Sequence, residues 1–233
     1  MTPSPVRSQW IDIAGGCAGW LALPPAGRGP GIVLFQEIFG VNAHIRAVAE
    51  QYALDGFVVL APDVFWRQAP RVDLGYEGAD RQRALALMQG YTPAQALEDI
   101  AAGVAALRAR PEAAGAKVGA LGYCMGGRLA WLAAATTDID AAVPFYGGGI
   151  HTMLDRAASI RCPLQLHYAG RDAHIPLAAV EQVRQALVGK PAEVHVYPGA
   201  EHGFNCWSRD SYDAASAALA HGRATVFLAQ QLF

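Results

Sequence analysis

Short apolar runs alternate along the chain with longer stretches of helical period. The runs at 32–35 and 57–61 are unbroken, as in parallel strands covered on both faces. Further strands are predicted at 10–13, 17–23, 117–121, 141–146 and 194–198. One more begins at Leu164 and runs into the turn Gly170-Arg171-Asp172. Helical spacing predicts helices over 43–54, 79–89, 92–108, 128–135, 176–188 and 210–232. Asp55-Gly56 ends the first, and Thr92-Pro93 gives the third a capping threonine followed by a first-turn proline. The stretch 64–78 has neither period, and a loop of that length in a compact domain is functional or mobile as a rule. Strands alternating with helices predict an α/β fold: a mostly parallel twisted sheet with helices on both faces. Connections elsewhere are short, so one domain over 1–233 without a large lid is expected.

Composition narrows the function. Hydrophobic residues make up 53% of the chain and charged residues 16%, enough for a large core. The net charge of -2 comes without a basic block or acidic tail, so neither nucleic acid nor a membrane surface is an expected partner. No apolar run reaches the ~18 residues of a membrane span. The segment 1–7 lacks a signal-peptide core, so a cytoplasmic protein is expected. The four cysteines have no Cys-x-x-Cys pair, and in a reducing compartment they should be free thiols. Cys17 and Cys162 read as small buried hydrophobes. The seven histidines do not cluster in sequence, so no metal is expected. No long apolar surface helix stands out, and a monomer is expected.

Candidate chemistry concentrates at Gly122-Tyr123-Cys124-Met125-Gly126-Gly127. Between a strand and a helix, this is the Gly-x-nucleophile-x-Gly pattern of a nucleophile elbow, with cysteine in the place of serine. Glycines let the backbones approach, and the helix N-terminus favours negative charge at the sulfur or at an oxyanion beside it. The other reading of the same residues is a glycine-rich turn holding a buried cysteine. Two later residues stand in the order such sites require. Asp172 follows a strand's carboxyl end, where open α/β sheets keep their sites. His202 lies among small residues in the loop Gly199-Ala200-Glu201-His202-Gly203-Phe204, a place for a mobile base. A thiolate attacks where a thiol does not. His202 could take its proton, and Asp172 could fix the imidazole tautomer.

Together with Gln36-Glu37-Ile38-Phe39-Gly40-Val41-Asn42, the elbow, the Gly170-Arg171-Asp172 turn and the His202 loop resemble the dienelactone hydrolases (carboxymethylenebutenolidases). The likeness extends over nearly the whole chain, including Arg67-Gln68-Ala69-Pro70 and Arg81-Gln82-Arg83. The resemblance implies an α/β-hydrolase fold without a lid, no cofactor and a Cys124-His202-Asp172 triad. It implies an oxyanion hole from the backbone N–H groups of Ile38 and Met125, with Glu37 beside the nucleophile. The implied substrate is a small enol lactone bearing a carboxylate, formed in the breakdown of catechols.

A carboxylate at the end of an apolar strand is costly unless paired or protonated. One expectation is that Glu37 bonds the resting thiol and competes with His202; the other is a salt bridge to an arginine. The resemblance also implies two arginines holding the substrate carboxylate. One matches Arg83, with Arg81 a close competitor, and either could equally be a solvated helix face. The second falls on Cys206, a departure from the family pattern, and the nearest replacement is Arg209. Among aromatic residues, Tyr146, Phe39, Trp66, Tyr91 and Phe204 could wall a small planar pocket or be simple core. Three further readings stay open: a broader small-ester or thioester hydrolase, a non-catalytic ligand-binding protein of the same fold, and a thiol redox sensor using Cys124.

Overall fold

The structure, a computed structural model, describes residues 5–233. Eight strands form one sheet in the order β1 (Arg7–Ala14), β2 (Cys17–Leu23), β4 (Val58–Pro62), β3 (Gly31–Phe35), β5 (Val118–Tyr123), β6 (Ala141–Phe145), β7 (Leu164–Ala169) and β8 (Ala192–Tyr197). The opening hairpin is antiparallel, and β2 pairs antiparallel with β4. From β4 to β8 every pairing is parallel. Six strands, β3 to β8, therefore end at the same edge, and the loops leaving them converge there.

The helices are α1 (Ala43–Leu54), α2 (Gly78–Gly90), α3 (Pro93–Arg108), α4 (Met125–Thr136), α5 (Leu177–Ala186) and α6 (Ala214–Leu232). The central strands β3, β4, β5 and β6 are buried at every position, which explains their unbroken apolar sequence. Helix α3 starts with the predicted cap: Thr92 accepts from Gln95 N, and the Gln95 side chain accepts from Thr92 N.

The sequence places two helix starts differently. Helix α4 begins at Met125 rather than 128, because Gly126 and Gly127 are already helical. Glycine is the weakest helix former after proline, so propensity hides them; their task is close packing. A Cβ on Gly126 would collide with the Phe35 carbonyl, and one on Gly122 with the Gly126 carbonyl. Helix α6 begins at Ala214 rather than 210, where Asp213 accepts a cap bond from Ser216 N at 2.8 Å.

The irregular stretch 64–78 is a packed loop. Val64, Phe65, Val72 and Leu74 are buried. Asp63 accepts from Phe65 N and Arg71 N, and Arg67 pairs with buried Asp99 at 2.7 Å. Leu74 N donates to Phe39 O at 3.1 Å, and Asn42 Nδ2 to Leu74 O at 3.1 Å. The loop thus braces the 36–42 segment at the convergent edge.

Candidate active site

The predicted catalytic residues and Tyr146 follow the carboxyl ends of parallel strands. Gln36 to Asn42 follow β3, Cys124 follows β5, Tyr146 follows β6, Asp172 follows β7 and His202 follows β8. Cys124 sits at φ 56°, ψ -115°, a left-handed conformation that costs a side-chain-bearing residue of order 1–3 kcal/mol. The bond from its N–H to Phe145 O at 3.0 Å and the glycine packing beneath it hold the turn in place. Cys124 is only partly buried, and it lines a cavity of about 300 Å³. Ile38, Phe39, Met125, His202 and Arg209 line the same cavity. A larger hollow of about 530 Å³ lies against α6, lined by residues such as Gln165, His195 and Arg223, far from the elbow loops in sequence and without a cysteine.

His202 Nδ1 is 2.7 Å from Asp172 Oδ2, and that Asp172 side chain is fully buried. The second oxygen, Oδ1, accepts from His174 N at 2.8 Å and Ile175 N at 3.1 Å. Burial alone would raise the Asp172 carboxyl; the His202 bond and charge and the two backbone donors outweigh it and hold it below the usual carboxylate range. Burial likewise pulls His202 down, but the Cys124 charge and the bonds to Asp172 and Cys124 raise it to about 10. With Nδ1 engaged, Nε2 is left for the thiol. The N–H groups of Ile38 and Met125 have no acceptor among the described residues. Both residues border the cavity. Tyr146, at φ 34°, is buried behind His202, ring centroids 5.1 Å apart, and does not line the cavity.

Glu37 departs from one expectation. Its side chain is 1% exposed, and Oε1 accepts from Arg209 Nη1 at 3.1 Å. No hydrogen bond joins Glu37 to Cys124 among the described residues, so the salt-bridge reading holds in place of the thiol contact. A guanidinium is the strongest partner within reach of a desolvated carboxylate, and it takes the carboxylate first. Burial pushes the Glu37 carboxyl up, against the charges of Arg209 and His202. Arg209 also lies over the rings of Phe39 at 5.8 Å and Tyr76 at 5.6 Å.

Between the two competing arginines the structure separates clearly. Arg81 lines the cavity; Arg83 does not. Two residues along a helix turn the side chain by about 200°, to the opposite side. Trp66 and Tyr91 sit away from the cavity, both hydrogen-bonded to Asp99. Among the lining residues that escape the sequence reading, Arg128 and His174 carry polar groups. Arg128 stands four residues after Cys124, one turn up the same helix face, a spacing that could have found it. Cys17 and Cys162 are buried free thiols, pushed up by burial to about 12 and about 11.

The sequence pattern of the Dienelactone hydrolase family matches residues 17–232. The chain belongs to this family. A carboxymethylenebutenolidase of Pseudomonas putida is 36% identical over 208 residues, 88% of each chain. Carboxymethylenebutenolidase 1 of Cupriavidus pinatubonensis is 31% identical over 216 residues, 90% of each chain. A crystal structure of a Klebsiella pneumoniae protein assigned to the dienelactone hydrolases superposes with a TM-score of 0.86 at 31% identity, covering 97% of this chain and 99% of that one. The fold is accordingly the α/β-hydrolase fold without a lid, and the protein is a carboxylic ester hydrolase.

Proposed function

We propose that the enzyme opens dienelactone (4-carboxymethylenebut-2-en-4-olide) to maleylacetate through Cys124, His202 and Asp172. The observation that carries this reading is one cavity lined by the strained Cys124, by His202 with Asp172 bonded behind it, and by two guanidiniums, Arg81 and Arg128, without acidic partners among the described residues. A small planar carboxylate-bearing ester suits such a cavity in both charge and size.

Cys124 Sγ attacks the lactone carbonyl as thiolate, with its proton on His202 Nε2. The resulting oxyanion takes the N–H groups of Met125 and Ile38, each contributing about 3 kcal/mol. The ring C–O bond breaks and expels an enolate, which collects the His202 proton. Neutral His202 then takes a proton from water as that water attacks the thioester, and the Cys124 thiolate leaves. The Nδ1 proton stays on His202 throughout, donated to the Asp172 carboxylate. Enolates are far better leaving groups than amines or simple alkoxides, which suits a thiol nucleophile.

A broader small-ester hydrolase is the second reading. The observation favouring it is that Cys206 stands at the second arginine position while Arg209 is already engaged by Glu37. Comparing kcat/KM for dienelactone and p-nitrophenyl acetate decides between them. The proposal predicts a strong preference for dienelactone, and comparable rates would establish the broader activity. Arg81→Ala should raise KM for dienelactone about tenfold, the loss of one charge-assisted contact, and leave p-nitrophenyl acetate unaffected. Arg83→Ala should change neither.

A further inference from the structure

Three ligating side chains from distant parts of the sequence meet behind the active site. Glu37 follows β3, His44 is in the first turn of α1, and Cys206 lies in the loop after β8. A carboxylate oxygen, an imidazole nitrogen and the Cys206 sulfur all lie within 4.8 Å of one another. All three residues are buried, His44 at 3% exposure and Cys206 at 0%. Their hydrogen bonding is incomplete: Glu37 Oε2 and both ring nitrogens of His44 have no partner. Each such buried group costs about 1–3 kcal/mol if left bare. Two buried side chains with bare polar atoms meeting at one thiol are an unusual cost, explained by something seated between them.

We infer that Glu37, His44 and Cys206 form a binding site for one thiophilic divalent cation of the zinc class. Thiolate, imidazole and carboxylate are zinc's own donor set, and three protein ligands leave a fourth position open. Bond lengths of about 2.0–2.3 Å place tetrahedral ligands roughly 3.3–3.7 Å apart, so the site needs to contract by about 1–1.5 Å. Both ring nitrogens of His44 are buried without a hydrogen-bond partner, so one is available to ligate. Cysteine ligates as thiolate, so the cation must displace the Cys206 proton. Arg209 is the opposing charge, on the other oxygen of Glu37, and the Cys206 thiolate offsets it. Cys206 is hydrogen-bonded to Tyr76 and to the Ser208 backbone, bonds that the cation must replace, and the Asn42 amide donates to the Tyr76 hydroxyl at 3.1 Å. A cation here would tie the segment carrying the Ile38 donor to the loop carrying His202.

The test uses full-length Cys124→Ala protein, so that the catalytic thiol cannot bind metal. Titration with Co2+ alone should give one equivalent bound, with a thiolate-to-cobalt charge-transfer band and the strong visible bands of a tetrahedral site; Zn2+ should displace it. Adding Cys206→Ser should abolish the charge-transfer band. His44→Phe, which keeps a ring against Trp207, should weaken binding by at least about tenfold. Zn2+ should raise the melting temperature of the parent and of neither variant. Absence of the thiolate band in the parent, or its persistence in Cys206→Ser, would overturn the inference and leave a water as the occupant. None of these readouts depends on hydrolysis.

Discussion

Asp172→Asn should lower kcat by about 10,000-fold while leaving the fold intact. The geometry explains both halves of that expectation. Asp172 Oδ1 accepts from the His174 and Ile175 amides, and an asparagine oxygen keeps those bonds. The substituted side chain then places an NH2 group where Oδ2 stood, 2.7 Å from His202 Nδ1. The imidazole must turn Nδ1 into an acceptor, which moves its proton to Nε2. That nitrogen can no longer take the proton of Cys124. The imidazolium form, held up to about 10 by the Cys124 charge and the bonds to Asp172 and Cys124 against the pull of burial, also loses its counter-charge. Steady-state kinetics with melting curves check this: a loss below about tenfold would show that Asp172 does not set the tautomer.

Arg209→Met has the largest expected effect on stability. Methionine keeps an apolar stem between Phe39 and Tyr76 but leaves Glu37 buried without its cation. Breaking one partner of a buried pair costs about 3–5 kcal/mol, which corresponds to a melting temperature lower by about 10 °C in a chain of this size. The loss should depend on pH with a definite sign. The folded pKa of Glu37 is raised by burial, and removing Arg209 raises it further. Below the ordinary carboxylate range, Glu37 is protonated in both folded and unfolded states and the loss is small. As pH climbs toward the raised folded value, the unfolded state gains the solvated carboxylate and the deficit grows. Melting curves at about pH 5 and about pH 8 should therefore diverge, with the larger deficit at the higher pH. Adding Glu37→Gln should recover most of it. An equal deficit at both pH values would contradict the pairing.

Much of the site is legible in the sequence because its parts are local. An elbow is six consecutive residues, and Asp172 and His202 each follow a strand that announces itself by apolar runs. Their order along the chain, with the geometry of a parallel sheet, brings them to one edge. Hidden in the sequence are choices made across space. Nothing local says that Glu37 meets Arg209 rather than the thiol, or that Arg81 and not Arg83 faces the cavity. Helical phase decides the second, and it depends on where α2 begins, at Gly78. The Glu37, His44 and Cys206 cluster is likewise invisible to any spacing rule, because its members come from three separate segments. The start of α4 is obscured for the opposite reason: Gly126 and Gly127 are poor helix formers kept there by the Phe35 and Phe145 carbonyls.

The central claim is that Cys124 carries the acyl group. The direct measurement is intact-protein mass spectrometry after rapid acid quench of enzyme mixed with dienelactone, followed by peptide mapping. The account predicts a transient adduct of one substrate mass, on Cys124 alone, that is absent in Cys124→Ala. Turnover by Cys124→Ala at the native rate, or an adduct on another residue, would contradict it.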